Sequence, residues 1–104
     1  MSGLDDSPGA EPNEVLELLA FWLSAGYSRW FSASHEFDGE CGRYARLWED
    51  AAGGACDHWT ATAAGSLALV ILFDQIPRNV FRGSARQFET DGKARAVAER
   101  AIAK

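Results

Sequence analysis

The chain is poor in cysteine: Cys41 and Cys56 are its only two. A secreted domain of this size is normally stapled by several disulfides, so the pair reads as reduced thiols and points to a cytoplasmic protein. Proline is scarce as well. Two of the three prolines fall in the acidic opening MSGLDDSPGAEP, and the third is Pro77. That opening lacks the basic start and apolar run of a signal peptide, and no apolar run approaches the ~20 residues of a membrane helix, so no export or membrane address is expected. Basic residues are in the minority, 10 against 15 acids, for a net charge of −5. General nucleic-acid binding needs a basic face and is excluded on that ground. There is no phosphate-binding glycine loop, no dinucleotide fingerprint and no nucleophile elbow, and no cofactor is expected. Cys56-Asp57-His58 offers two metal-type ligands with no matching pair elsewhere, so no metal is expected.

What is present is apolar and aromatic. Hydrophobic residues make up 47% of the chain and aromatics 12%, with four tryptophans. Such a composition excludes a disordered chain. A chain of 104 residues hides ~60–65% of its unfolded surface, enough for one core. Residues 1–12 are expected to form a disordered tail and 13–104 a single helical domain.

Helical periodicity dominates from Asn13 onward. Asn13 can cap a first helix, with Glu14 and Glu17 placed where the helix dipole favours acids. EVLELLAFWLSAG is apolar on most sides and predicts a central helix ending at Gly26. YSRWFSAS then reads as a short connection, and Ser34 as the cap of a second helix. Phe37, Cys41, Tyr44, Trp48 and Ala51 step by four, three, four and three, one buried stripe, until AAGG stops it. Thr60 or Thr62 can cap a third helix through LALVILF, which the flanking alanines favour over a strand. Pro77 is expected to interrupt it and to push Ile76 away from helical angles. A short helix follows from Ser84 to Phe88, and Asp91 is expected to cap a last one. There Ala94, Val97, Ala98, Ala101 and Ile102 form a stripe that needs something to pack on. It folds back on the first helices, or meets a second copy through residues 94–102, or belongs to a chain cut short.

The densest polar segment is LFDQIPRNVFRG. Asp74, Gln75, Arg78, Asn79 and Arg82 fall in nine positions beside a buried run. One reading is structural: Asp74 pairs with Arg78 or Arg82, Gln75 takes up helix-end carbonyls, and Asn79 bridges to the next segment. The other is functional. Arg78, Arg82 and Arg86 recur every four residues, a cationic ridge on an acidic chain, and a guanidinium fork suits a carboxylate or phosphate. Trp30 is the aromatic candidate for a groove wall. His35 and His58 read as capping or surface residues.

VLELLAFW, RWF, FD, LALVILFDQIPRNVFRGSARQF and the final alanine-rich stripe together resemble an uncharacterised bacterial family, a domain of unknown function. Its hallmark is a leucine-rich helix ending in Asp-Gln-Phe-Pro-Arg-Asn followed by Phe-Arg-Gly. The resemblance spans residues 15–103 and places Asp74, Gln75, Pro77, Arg78, Asn79, Arg82 and Gly83 on that motif, with Ile76 in place of the usual Phe. It also matches Trp30-Phe31 and Phe37-Asp38. It implies a tetratricopeptide-like fold, with this chain corresponding to the N-terminal part of a longer protein. It implies no activity.

The expectation is therefore an all-α domain of stacked antiparallel helices, truncated relative to its relatives. The leading functional expectation is a cytoplasmic binding or interaction module. It would contact an acidic peptide or an anionic small molecule through Arg78 and Arg82. The first alternative is a hydrolase or transferase built on Asp74, Gln75 and Asn79 and completed by a missing half. The second is a purely structural motif.

Overall fold

The computed structural model describes residues 13–30 and 35–103. The expected tail at 1–12, the Ser34 cap and the Phe31 match lie outside them. Among the described residues six α-helices run in order: α1 (Asn13–Trp30), α2 (His35–Cys41), α3 (Ala45–Ala52), α4 (Ala63–Val70), α5 (Ile76–Val80) and α6 (Asp91–Ala103). Tight 3-10 turns lie at Gly42–Tyr44, Asp57–Ala61 and Ala85–Phe88. The described residues contain no strand, so the all-α expectation holds.

α1 is amphipathic rather than buried all round. Val15, Leu18 and Trp22 enter the core, while Leu16 and Leu23 are about half exposed. Its apolar residues therefore occupy two faces, and among the described residues only one of them is covered. The break comes at Gly26, as its sequence suggests. The residue sits at φ 80° and ψ 167°, a conformation that side chains with a Cβ avoid. Helical turns then resume as far as Trp30, where a plain connection was expected. The Trp30 indole donates to the Trp22 carbonyl (2.7 Å) and stacks on the Trp22 ring, so it ties the two halves of α1 together.

The four-three-four-three stripe is buried throughout: Phe37, Cys41, Tyr44, Trp48 and Ala51 all belong to the core. It is shared by α2, the following 3-10 turn and α3 rather than by one continuous helix. The Thr62 hydroxyl accepts from the Gly65 N–H (3.0 Å) and caps α4.

The run into Pro77 departs most from expectation. The chain does not leave the helix there. α4 passes through a π-helical turn, Ile71–Gln75, into α5, and Ile76 keeps helical angles (φ −56°, ψ −45°). The wide turn closes with the Ile76 N–H donating to the Ile71 carbonyl, five residues back. Proline thus sits near the start of a new helical segment, where a missing N–H is tolerated. An N–H at position 77 would serve Phe73 in a regular helix. Instead the Thr90 hydroxyl donates to the Phe73 carbonyl (2.6 Å) and itself accepts from the Trp48 indole N–H (3.0 Å), all within the core.

α6 packs along α4 and the π turn. Ala94 and Val97 are buried, whereas Ile102 is 84% exposed. The last stripe therefore folds back over its first half. Asp91 does not cap the helix. It lies in the first turn of α6 and faces Arg78, while the Thr90 carbonyl receives the Ala94 N–H.

Candidate functional site

A helix that contains a proline must leave some carbonyls without their usual donors, and the side chains near that point are drawn into satisfying them. The Asn79 amide donates to the Gln75 carbonyl (3.2 Å). Its oxygen accepts from Arg82 Nη2 (3.0 Å). Asn79 is only 5% exposed, and both ends of its amide are engaged within the fold. Gln75 does not take up a helix-end carbonyl. Its Nε2 donates to Asp74 Oδ2 (2.6 Å).

Arg82 reaches across to α2. Its Nε and Nη2 donate to the two oxygens of Asp38 at 2.8 and 3.0 Å, a fork closed on a carboxylate. The hydrogen bond to Asp38 raises the Arg82 pKa above its ordinary value, against the lowering that desolvation brings. This clamp joins two segments 44 residues apart in sequence. Arg82 is therefore a structural cross-link, and its fork faces Asp38 rather than a ligand.

The cationic ridge is likewise balanced. Arg86 pairs with Glu89 (3.5 Å) and lies over the Phe81 and Trp48 rings. Arg78 pairs with Asp74 (3.0 Å) and with Asp91 (3.3 Å). The local excess of arginine in the sequence is met by Asp38 from α2, Asp91 from α6 and Glu89 from the intervening turn. Linear spacing could show the Arg86–Glu89 pair but not the approach of Asp38 or Asp91.

A concave polar surface adjoins this cluster. Between the α4–π segment and α6 lies a cleft of about 240 Å³, lined by Val70, Asp74, Arg78, Asp91, Ala94, Arg95 and Ala98. Asp74, Arg78 and Asp91 keep roughly a quarter to a third of their side-chain surface exposed. Arg78 makes all its carboxylate contacts through Nη2 and lies over the Phe88 ring. Arg95 has no hydrogen-bond or ion-pair partner among the described residues.

Of the sequence candidates, Asp74 and Arg78 thus share a cleft. Gln75 supports Asp74 from beside it, Asn79 and Arg82 are spent on the fold, and Trp30 belongs to the kink of α1. Asp91 and Arg95 join the site from α6. Their signal was present as an acid and a base four residues apart on the last helix, but the apolar stripe beside them drew the reading.

Elsewhere chemistry is sparse. Cys41 is buried, and desolvation pushes its thiol up to about 12; burial raises Cys56 in the same direction. Neither is a poised nucleophile. The described residues hold no cluster of three or more His, Cys, Asp or Glu side chains able to bind a metal. Among them no helix is long and apolar enough to cross a membrane.

Comparison with known proteins gives a family and a fold. The family model described as a bacterial protein of unknown function (DUF924) matches residues 18–104. A solved structure, a protein of unknown function designated ATU0120 from Agrobacterium tumefaciens, is 38% identical with a TM-score of 0.84. The match covers 88% of this chain and 52% of that one, so the chain spans about half the length of this relative. No curated protein matches it.

Proposed function

The chain belongs to this bacterial family of unknown function, and from its geometry we propose that it is a small helical binding module whose α4–α6 cleft takes an anionic group at Arg78 and Arg95. One observation carries the reading: Arg95 borders the cleft, and its N–H donors have no acceptor among the described residues. Arg78 adds its Nε and Nη1, since its carboxylate contacts use Nη2 alone. The cleft is smaller than the ~300–1,000 Å³ typical of drug-sized ligands, which favours an anionic small molecule over an acidic peptide. A tetratricopeptide-like architecture, which the motif resemblance implies, would suit a binding role by analogy only.

The test is NMR titration with inorganic phosphate and with small carboxylates. The double variant Arg78→Ala/Arg95→Ala should lose binding by at least tenfold, whereas Arg82→Ala, which removes the Asp38 clamp and the bond to Asn79 outside the cleft, should keep it. Unchanged binding in a folded double variant would overturn the reading.

A second reading, a hydrolase or transferase centred on Asp74, has one observation in its favour. Asp74 lies within a π turn, a feature frequent at functional sites, and each of its oxygens has one partner, so the carboxylate that lines the cleft keeps acceptor capacity. Asn79 has no chemical part in this reading, because its amide is committed. Turnover of nitrophenyl esters or phosphates, abolished in a folded Asp74→Asn variant, would support it. Turnover unaffected by the substitution would sink it.

A further inference from the structure

We infer that the ligand of this cleft is a zwitterion, a small aliphatic molecule carrying an ammonium beside its carboxylate, as a free amino acid does. The inference rests on the anion-binding reading and adds the other half of the ligand.

It starts from a count of hydrogens. Arg78 Nη2 carries two N–H groups but faces three carboxylate oxygens: Asp74 Oδ1 at 3.0 Å and both oxygens of Asp91 at 3.3 Å. Charge-assisted N–H···O bonds settle near 2.7–2.9 Å, as the Arg82–Asp38 clamp nearly does. The Asp91 carboxylate is therefore short of donors and held loosely. No other partner for it is found among the described residues. On the same helix, four residues on, Arg95 has donors and no acceptor among the described residues. The cleft is thus lined by an under-supplied acid and by a base with no acceptor among the described residues.

The charge balance points the same way. Asp74 and Asp91 against Arg78 and Arg95 make the lining formally neutral. A bare anion would gain from Arg95 but approach two carboxylates as well. A ligand that brings its own cation keeps the site neutral: its ammonium donates to Asp91, and its carboxylate receives the Arg95 fork. The rest of the lining is Val70, Ala94 and Ala98, small and apolar, and suits an aliphatic body. Among the described residues that line the cleft there is no aromatic ring.

Calorimetric or NMR titration with leucine, N-acetylleucine, leucine methyl ester and inorganic phosphate tests this. Leucine should bind, both blocked derivatives should bind at least tenfold more weakly, and Asp91→Asn should weaken leucine at least tenfold while a thermal melt confirms its fold. N-acetylleucine binding as tightly as leucine would overturn the zwitterion and leave the anion site standing. So would phosphate binding without leucine binding. Equal binding of the methyl ester, or binding of none of the four, would overturn both readings.

Discussion

The Thr90 hydroxyl donates to the Phe73 carbonyl across 2.6 Å of buried core, four residues before Pro77. The contact supplies from a distant loop the hydrogen bond that a proline cannot give. The Trp48 indole completes the relay by donating to Thr90. Three elements thereby converge on the turn that presents Asp74 to the cleft.

Thr90→Val keeps the shape and removes the hydroxyl. It leaves both the Phe73 carbonyl and the Trp48 N–H buried without partners. Urea denaturation should register a loss of about 1–3 kcal/mol, with Thr90→Ser recovering most of it. A loss confined to a few tenths would mean that the relay adds nothing to the π turn.

The Arg82–Asp38 clamp should behave as a cross-link of modest strength, because Arg82 is 43% exposed. Arg82→Lys keeps the charge but loses the fork and the bond to Asn79. A double-mutant cycle with Asp38→Asn should yield a coupling of about 0.5–1 kcal/mol. No coupling would return Arg82 to the list of ligand contacts.

Gly65 is a packing requirement. A Cβ there would collide with the Trp59 carbonyl, which is backbone and cannot swing aside. Gly65→Ala should cost about 2–4 kcal/mol in thermal or urea unfolding. Gly39 on α2 has nothing within 4 Å of such a Cβ, so Gly39→Ala should be neutral or stabilising by up to about 1 kcal/mol.

Alkaline pH should weaken the fold through Cys41. Burial raises the folded thiol from its ordinary 9.0 to about 12, so the unfolded chain releases this proton first. Stability is fully present below pH 9 and falls as pH rises from 9 towards 12. By pH 10.5 the loss from this group should reach about 2 kcal/mol at most. Urea midpoints at pH 8 and 10.5 should converge in Cys41→Ala relative to the parent protein, with Cys56 adding a smaller effect of the same sign.

Much of the helical frame is legible along the chain because its causes are local. Gly26 breaks α1 where a residue without Cβ allows it, Thr62 caps α4 through its own hydroxyl, and the Phe37–Ala51 stripe follows helical spacing even where the helix tightens into a 3-10 turn. Pro77 departs from expectation because the local rule, that proline ends a helix, assumes no outside donor. A wide turn and Thr90, seventeen residues beyond Phe73, remove that assumption.

The site divides along the same line. Asp74 and Arg78 are set one helical step apart by sequence alone, and their pairing needs little else. The other arginines of the ridge are met by acids outside the polar segment, one close in sequence and one far from it. Arg82 is closed by Asp38 and Arg86 by Glu89, so the apparent ridge carries no free charge, while Arg95, unremarkable in sequence, is left open beside Asp91. Charge order along a chain is fixed by its residues, but charge balance at a surface is a sum over neighbours in space. Only the packing of α6 against α4 decided which cation could be offered to a ligand.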